Sequence, residues 1–181
     1  MSKISPLAFI DPEAKIGENC EIGPFCFIDK NVEIGDNNVL MNSVSVLYGA
    51  RIGNGNVIFP GAVISAVPQD LKFRGEETTA EVGDNNKIRE NVTINRGTAA
   101  KGKTCVGSGN LLMESVHVAH DAFVGNDCII GNGTKLAGEI IIDDHAIISA
   151  NVLMHQFCHV GGYGMIQGGC RFSKDIPPYI I

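Results

Sequence analysis

The feature that most constrains this chain is an aliphatic residue that returns every six positions. The series runs Ile4, Ile10, Ile16, Ile22, Ile28, Ile34, Leu40, Val46, Ile52, Ile58, Ile64. It lapses at Asp70 and Glu76, returns at Val82, Ile88 and Ile94, lapses at Ala100 and resumes at Val106. From there it runs through Leu112, Val118, Val124, Ile130, Leu136, Ile142, Ile148, Met154, Val160 and Ile166, and closes at Phe172. Ile, Leu, Val or Met fills 25 of these 29 slots, which chance does not produce. The phase survives both lapses, so each interruption is a whole multiple of six.

Six residues are too few for a helix–turn–helix unit and too regular for a sandwich. They fit a strand of about two to three residues and a tight corner. Three such units make one triangular turn, and turns stack about 4.8 Å apart, the interstrand spacing. The slot residue points inward, and burying each one stabilises by roughly 1.5–3 kcal/mol. The expectation is an all-β chain, a parallel β-helix of about ten coils forming one domain over residues 1–181. The residue after the slot is often glycine, as at Gly35, Gly53 and Gly107. Corner residues such as Asn37, Asn54 and Asn132 are expected to take positive φ, as glycine does.

The fourth residue after each slot is the second inward position and is expected to be small. Cys20, Cys26, Cys128, Cys158 and Cys170 all fall there, beside Ala14, Ala62, Ala122 and Ala146. These thiols are therefore expected as core rather than as a disulfide framework. Only Cys105 is off register, and no Cys-x-x-Cys pair is present to suggest structural zinc.

The two lapses mark external loops, expected at about 65–81 and 95–105. Residues 86–105 hold Lys87, Arg89, Arg96, Lys101 and Lys103 against Glu90 alone, 5 − 1 = +4, a hint of an acidic partner on that face. The whole chain, with 14 Lys and Arg against 20 Asp and Glu, carries −6 and lacks the basic footprint of a nucleic-acid binder. Met1–Pro6 is short and polar with no apolar run behind it. No stretch approaches the roughly 20 apolar residues of a spanning helix. The expected setting is the cytoplasm, with no integral membrane segment. Pro177 and Pro178 are expected to stop strand pairing after Phe172.

The densest polar cluster is His117-Val118-Ala119-His120-Asp121. A histidine exchanges protons near neutral pH. On an 18-residue turn His120, Gly138 and Gln156 fall in one column, with His155 close by. A solvated corner histidine would give the same spacing, so the column alone does not establish a site.

Several strings together resemble the UDP-N-acetylglucosamine O-acyltransferases of lipid A biosynthesis, within the hexapeptide-repeat acyltransferase superfamily. They are Pro68-Gln69-Asp70-Leu71-Lys72-Phe73, Ile88-Arg89-Glu90, Val92-Thr93-Ile94-Asn95-Arg96-Gly97-Thr98, His117-Val118-Ala119-His120-Asp121, His155-Gln156-Phe157, Gly168-Gly169-Cys170 and Asp175-Ile176-Pro177-Pro178-Tyr179. The likeness runs through the whole chain. It implies a left-handed coil, although general handedness rules favour right-handed crossovers.

The resemblance also implies a reaction: transfer of a 3-hydroxyacyl chain from acyl carrier protein to the 3-hydroxyl of UDP-N-acetylglucosamine, with no metal and no cofactor, in a homotrimer whose sites lie between subunits. His120 matches the general base, and Asp121 would orient it. The N–H of Gly138 matches the oxyanion donor. Gln69, Asp70, Lys72, His117, His155 and Gln156 match residues that hold the sugar and phosphates. The acidic carrier protein would give the basic stretch a use, and Gly168 and Gly169 would leave room for a long acyl chain. This sequence has Asn95 and Glu139 where the family often has histidine, so no role passes to either. The family continues into a C-terminal helical domain, which is expected to be absent from a chain that stops at Ile181.

Three other readings are compatible with the ladder. The sister N-acyltransferase of the same pathway has a different histidine motif and a further N-terminal domain. A γ-class carbonic anhydrase needs three zinc-binding histidines, and no third stands at the expected spacing. A non-catalytic or truncated solenoid would not depend on His120.

Overall fold

The computed structural model describes residues 2–180, which form three parallel sheets of nine, nine and eight strands. Successive strands go to successive sheets, so the chain winds as a parallel β-helix, and the coil is left-handed. Most strands are only two residues long, an outward residue followed by the inward slot residue, as in Glu21–Ile22 and Ile129–Ile130. Slot residues stack directly: Ile4 pairs with Ile22, Ile22 with Leu40, and Leu40 with Ile58. From Ile22 to Ile166 every aliphatic slot is buried.

Both interruptions can be measured from the register. Ile58 pairs with Ile88, 88 − 58 = 30 residues on, and Ile88 with Leu112, 112 − 88 = 24 on. Against the regular 18 these are insertions of 12 and 6, whole units of the repeat. The flanking strands reach into the segments expected as loops. Val63–Ala66 and Thr79–Val82 bound the first excursion, and Thr93–Asn95 and Lys103–Val106 bound the second. The chain therefore leaves the coil over 67–78 and 96–102 only. Ala80 and Thr104 stay inside because they stack on Ala50 in the inward column.

The second inward position is less restricted than the sequence suggests, and it differs from corner to corner. Cys20, Cys26, Cys128 and Cys158 are buried there and all six cysteines are free. Burial pushes the Cys128 thiol up to about 11. Yet Val32, Val44, Val92, Val116, Ile140 and Val152 fill the same position, fully buried. One corner instead stacks Asn38, Asn56, Asn86 and Asn110 inside the prism. The Asn56 side-chain oxygen accepts the backbone N–H of Asn86 at 2.9 Å and its side-chain amide at 3.0 Å. Asn38 does the same for Asn56, and Asn110 accepts the N–H of Cys128. Buried amides are tolerated because each donor and acceptor finds a partner one coil away.

Positive φ falls at the third residue after the slot. Asn37 takes it, at 59°, but Asn54 and Asn132 do not. They occupy the second position, and Gly55 and Gly133 turn the corner instead. The Asn54 side-chain oxygen accepts the N–H of Asp36 at 2.7 Å.

Strand pairing continues past Phe172. Ile176 forms a parallel bridge with Val160 and accepts the Gly161 N–H at 2.8 Å, and Ile180 accepts that of Met165 at 2.8 Å. The residue after a slot donates its N–H forward to the next coil. Pro177 holds that forward-donating position, so its missing N–H removes no bond from the pair already made.

The basic stretch does not form one face. Arg89 pairs with Glu90 at 3.0 Å, Lys103 with Glu81 at 2.9 Å, and Arg96 is buried. Lys87 lies on a different sheet from Lys103. Spacing along the chain suggested a patch that the winding of the coil disperses.

Candidate active site

Val118 stacks on Ile94 and below Leu136, which places His120 at a corner directly above the 96–102 excursion. His120 is 8% exposed. Its Nδ1 lies 2.8 Å from Asp121 Oδ2, so Nδ1–H donates to the carboxylate, which in the neutral imidazole leaves the lone pair on Nε2. Asp121 turns the corner at φ 60°, and its own N–H donates to Thr104 Oγ1 at 2.8 Å. That threonine stands in the inward column, so the coil interior fixes the backbone from which the carboxylate projects.

The carboxylate is held from the excursion as well. Thr98 donates its N–H to Oδ1 at 2.9 Å and its hydroxyl to Oδ2 at 2.6 Å, and the Lys101 N–H reaches Oδ1 at 3.3 Å. Burial raises the Asp121 pKa, but the hydrogen bonds from Thr98 and His120 outweigh it and hold the carboxyl below its ordinary value. Asp121 therefore stays ionised at neutral pH beside the imidazole.

Gly138 completes the corner. A Cβ there would stand 2.7 Å from both Cε1 and Nε2 of His120. The imidazole lies over the glycine Cα, in space that any other residue would fill. Among the described residues, no acceptor takes the Gly138 N–H. The imidazole and the glycine thus come together as the 18-residue column predicts, with the Asp121 carboxylate beside them.

The remaining sequence candidates divide. Asp70 and Lys72, in the first excursion, line a cavity of about 200 Å³ with Phe73, Glu76, residues 98–100 and Glu139. That cavity adjoins the dyad through Thr98 and the Gly138 corner through Glu139. Gln69 is exposed and does not line it. His117 lies on the strand that leads into this corner, its Nδ1 2.6 Å from Thr93 Oγ1. Burial, with Lys135 and His120 nearby, lowers the His117 pKa. His155 and Gln156 are exposed two coils above His120, roughly 10 Å away at the stacking distance. Thr98 and Thr104 were missed by the sequence argument. Both lie in the interrupted region, where the six-residue phase carries no information about neighbours. Among the described residues, no three His, Cys, Asp or Glu side chains are placed to hold a metal ion. No helix among them is long and apolar enough to cross a membrane.

No protein-family model matches the chain. It is 48% identical over 131 residues to the acyl-[acyl-carrier-protein]–UDP-N-acetylglucosamine O-acyltransferase of Synechocystis, covering 72% of this chain and 48% of that protein. The crystal structure of the UDP-N-acetylglucosamine acyltransferase from Bacteroides fragilis superposes with a TM-score of 0.96 at 77% identity, over 97% of this chain and 69% of that one. The Francisella novicida enzyme superposes with a TM-score of 0.96 at 44% identity, over 97% of this chain and 64% of that one. The chain thus spans about half of the curated relative and about two thirds of the solved ones. By its likeness to the Bacteroides fragilis protein over nearly its whole length, the chain belongs to the UDP-N-acetylglucosamine O-acyltransferase family of hexapeptide-repeat acyltransferases.

Proposed function

We propose that this chain transfers a 3-hydroxyacyl group from acyl carrier protein to the 3-hydroxyl of UDP-N-acetylglucosamine, the first step of lipid A biosynthesis. The observation that supports it most is the buried dyad of His120 and Asp121, at 2.8 Å, with Nε2 presented over the bare Cα of Gly138.

In this reading Nε2 takes the proton from the sugar hydroxyl as its oxygen attacks the thioester carbonyl. Asp121 stabilises the imidazolium that forms. The Gly138 N–H stabilises the oxyanion of the tetrahedral intermediate. Collapse breaks the C–S bond, and the imidazolium returns its proton to the departing thiolate of the carrier. A positioned base of this kind is worth about 10²–10⁴ in rate. Asp70 and Lys72 hold the nucleotide sugar beside the dyad, with Gln69, His117, His155 and Gln156 completing the groove against neighbouring subunits of a homotrimer. No metal or cofactor takes part in these steps, and the setting is cytoplasmic.

The test is acyl transfer from 3-hydroxyacyl carrier protein to UDP-N-acetylglucosamine by this chain and its His120→Ala variant. Transfer that falls at least about 10²-fold in the variant is expected. Equal transfer by both, or none by the folded unmodified chain, would sink the proposal.

A further inference from the structure

Arg96 occupies the second position after its slot, Ile94, the same corner position that His120 holds one coil later. It is 9% exposed, and its Nε has no hydrogen-bond partner. Among the described residues, no carboxylate forms a salt bridge with it. A buried cation without an ion pair is costly unless other groups replace its water. Here two aromatic faces do so. The guanidinium carbon lies 5.6 Å from the ring centre of Tyr48 and 5.3 Å from that of Phe73. Tyr48 stands at the same corner two coils earlier, while Phe73 belongs to the excursion 67–78, which leaves from the coil between them. Burial lowers the Arg96 pKa, with Tyr48 and Asp29 opposing.

We propose that Arg96 is a positioning residue whose guanidinium, in contact with the ring faces of both Tyr48 and Phe73, clamps the 67–78 excursion to the coil and sets where Asp70 and Lys72 stand beside the His120 corner. Within the excursion, hydrogen bonds tie Phe73 and Lys72 to Asp70. The Phe73 N–H donates to the Asp70 carbonyl at 3.0 Å, and the Lys72 N–H to Asp70 Oδ1 at 2.9 Å. Two ties hold its root: the Arg96 N–H to the Ala66 carbonyl at 2.9 Å, and the Asn95 side-chain amide to the Val67 carbonyl at 3.2 Å. A lysine could not replace the planar, weakly hydrated guanidinium against two rings. The catalytic consequence rests on the acyl-transfer reading; the clamp itself does not.

Hydrogen–deuterium exchange is compared in the unmodified protein, Arg96→Met, Arg96→Lys and Phe73→Leu, alongside steady-state transfer. Exchange over 67–78 should quicken about tenfold in Arg96→Met and in Phe73→Leu, with strand protection unchanged, and by less in Arg96→Lys. KM for UDP-N-acetylglucosamine should rise about tenfold, while kcat and its pH profile hold. The double variant should be no worse than either single one, because both break one contact. Phe73→Leu alters only the excursion, so it decides the matter if Arg96→Met does not fold. Unchanged exchange over 67–78 in Phe73→Leu would overturn the clamp, and quickened exchange with unchanged KM would overturn the positioning role. Should the unmodified protein transfer nothing, the acyl-transfer reading and the positioning role built on it fall together. Exchange alone then decides whether the clamp exists.

Discussion

The imidazole of His120 and the Cα of Gly138 are packed so closely that a single methyl group would separate them: its carbon would lie 2.7 Å from Nε2. The Gly138→Ala variant must therefore push the ring aside or tilt it on its bond to Asp121. A misplacement of about 1 Å costs about 10²-fold in rate. We expect Gly138→Ala to lower kcat by about that factor while thermal unfolding changes little, since the glycine sits at a corner. Steady-state kinetics with a melting curve checks both halves.

Asp121 is held by donors on both oxygens, so Asp121→Asn presents an amide NH₂ where Thr98 or His120 already offers a hydrogen. Leaving such buried groups unmatched costs about 1–3 kcal/mol. Acid unfolding carries a further signature. The folded carboxyl has a depressed pKa, so its contribution is complete above about pH 3.9, the unfolded value, and is lost as pH falls through the lower folded one. Urea unfolding followed from pH 5 downward should show this loss in the unmodified protein and lack it in Asp121→Asn.

The His117 pKa is depressed first by burial and then by Lys135 and His120. In solution His117 should titrate below about 6.5. Its folded pKa lies below the unfolded one, so stability is complete above that unfolded value and falls as pH drops through the folded value. Replacing Lys135 with Ala should move the titration upward, and proton NMR of the ring would follow it. No upward movement would mean that burial and His120 set the shift without Lys135.

Asn56→Ala would orphan the Asn86 N–H and the Gly83 carbonyl, which Asn56 serves at 2.9 Å each. With about 1–3 kcal/mol for each orphan, we expect a loss of about 3 kcal/mol. At roughly 2–4 °C per kcal/mol, Tm should fall by roughly 6–12 °C. Calorimetry would show it, and a fall below about 2 °C would mean the interior amides are interchangeable with apolar filler.

The architecture could be read from spacing because the two insertions, 12 and 6, are each whole multiples of six; the roles of His120 and Asp121 came from the resemblance. Gly138 above His120 follows from counting, since both lie after the second insertion. Thr98 and Arg96 do not, because they lie in the second excursion, at a corner where the separation of stacked residues is 30 or 24. The buried asparagine column escaped for a different reason. Hydropathy places asparagine at the surface, and only the chain of amide bonds from coil to coil makes the interior acceptable. Asn54 and Asn132 were misplaced by one residue because the positive-φ position is set by the corner, whichever residue nearby tolerates it best. The basic stretch misled because neighbours in sequence go to different faces of a coil.

The lengths of the two excursions give this molecule something like a reading frame. Adding six residues outside the wall leaves every later side chain facing as before, as the paired slots Ile58 and Ile88 show across the larger excursion. Adding one or two within a strand–corner unit would turn the remainder inside out, sending each Ile or Val to water and each outward residue to the axis. Change in length is therefore confined to the vertices, in whole units, and the vertex that carries both extra segments is also the one that presents His120. The extra segments and His120 share one edge of the prism while the other two edges keep count.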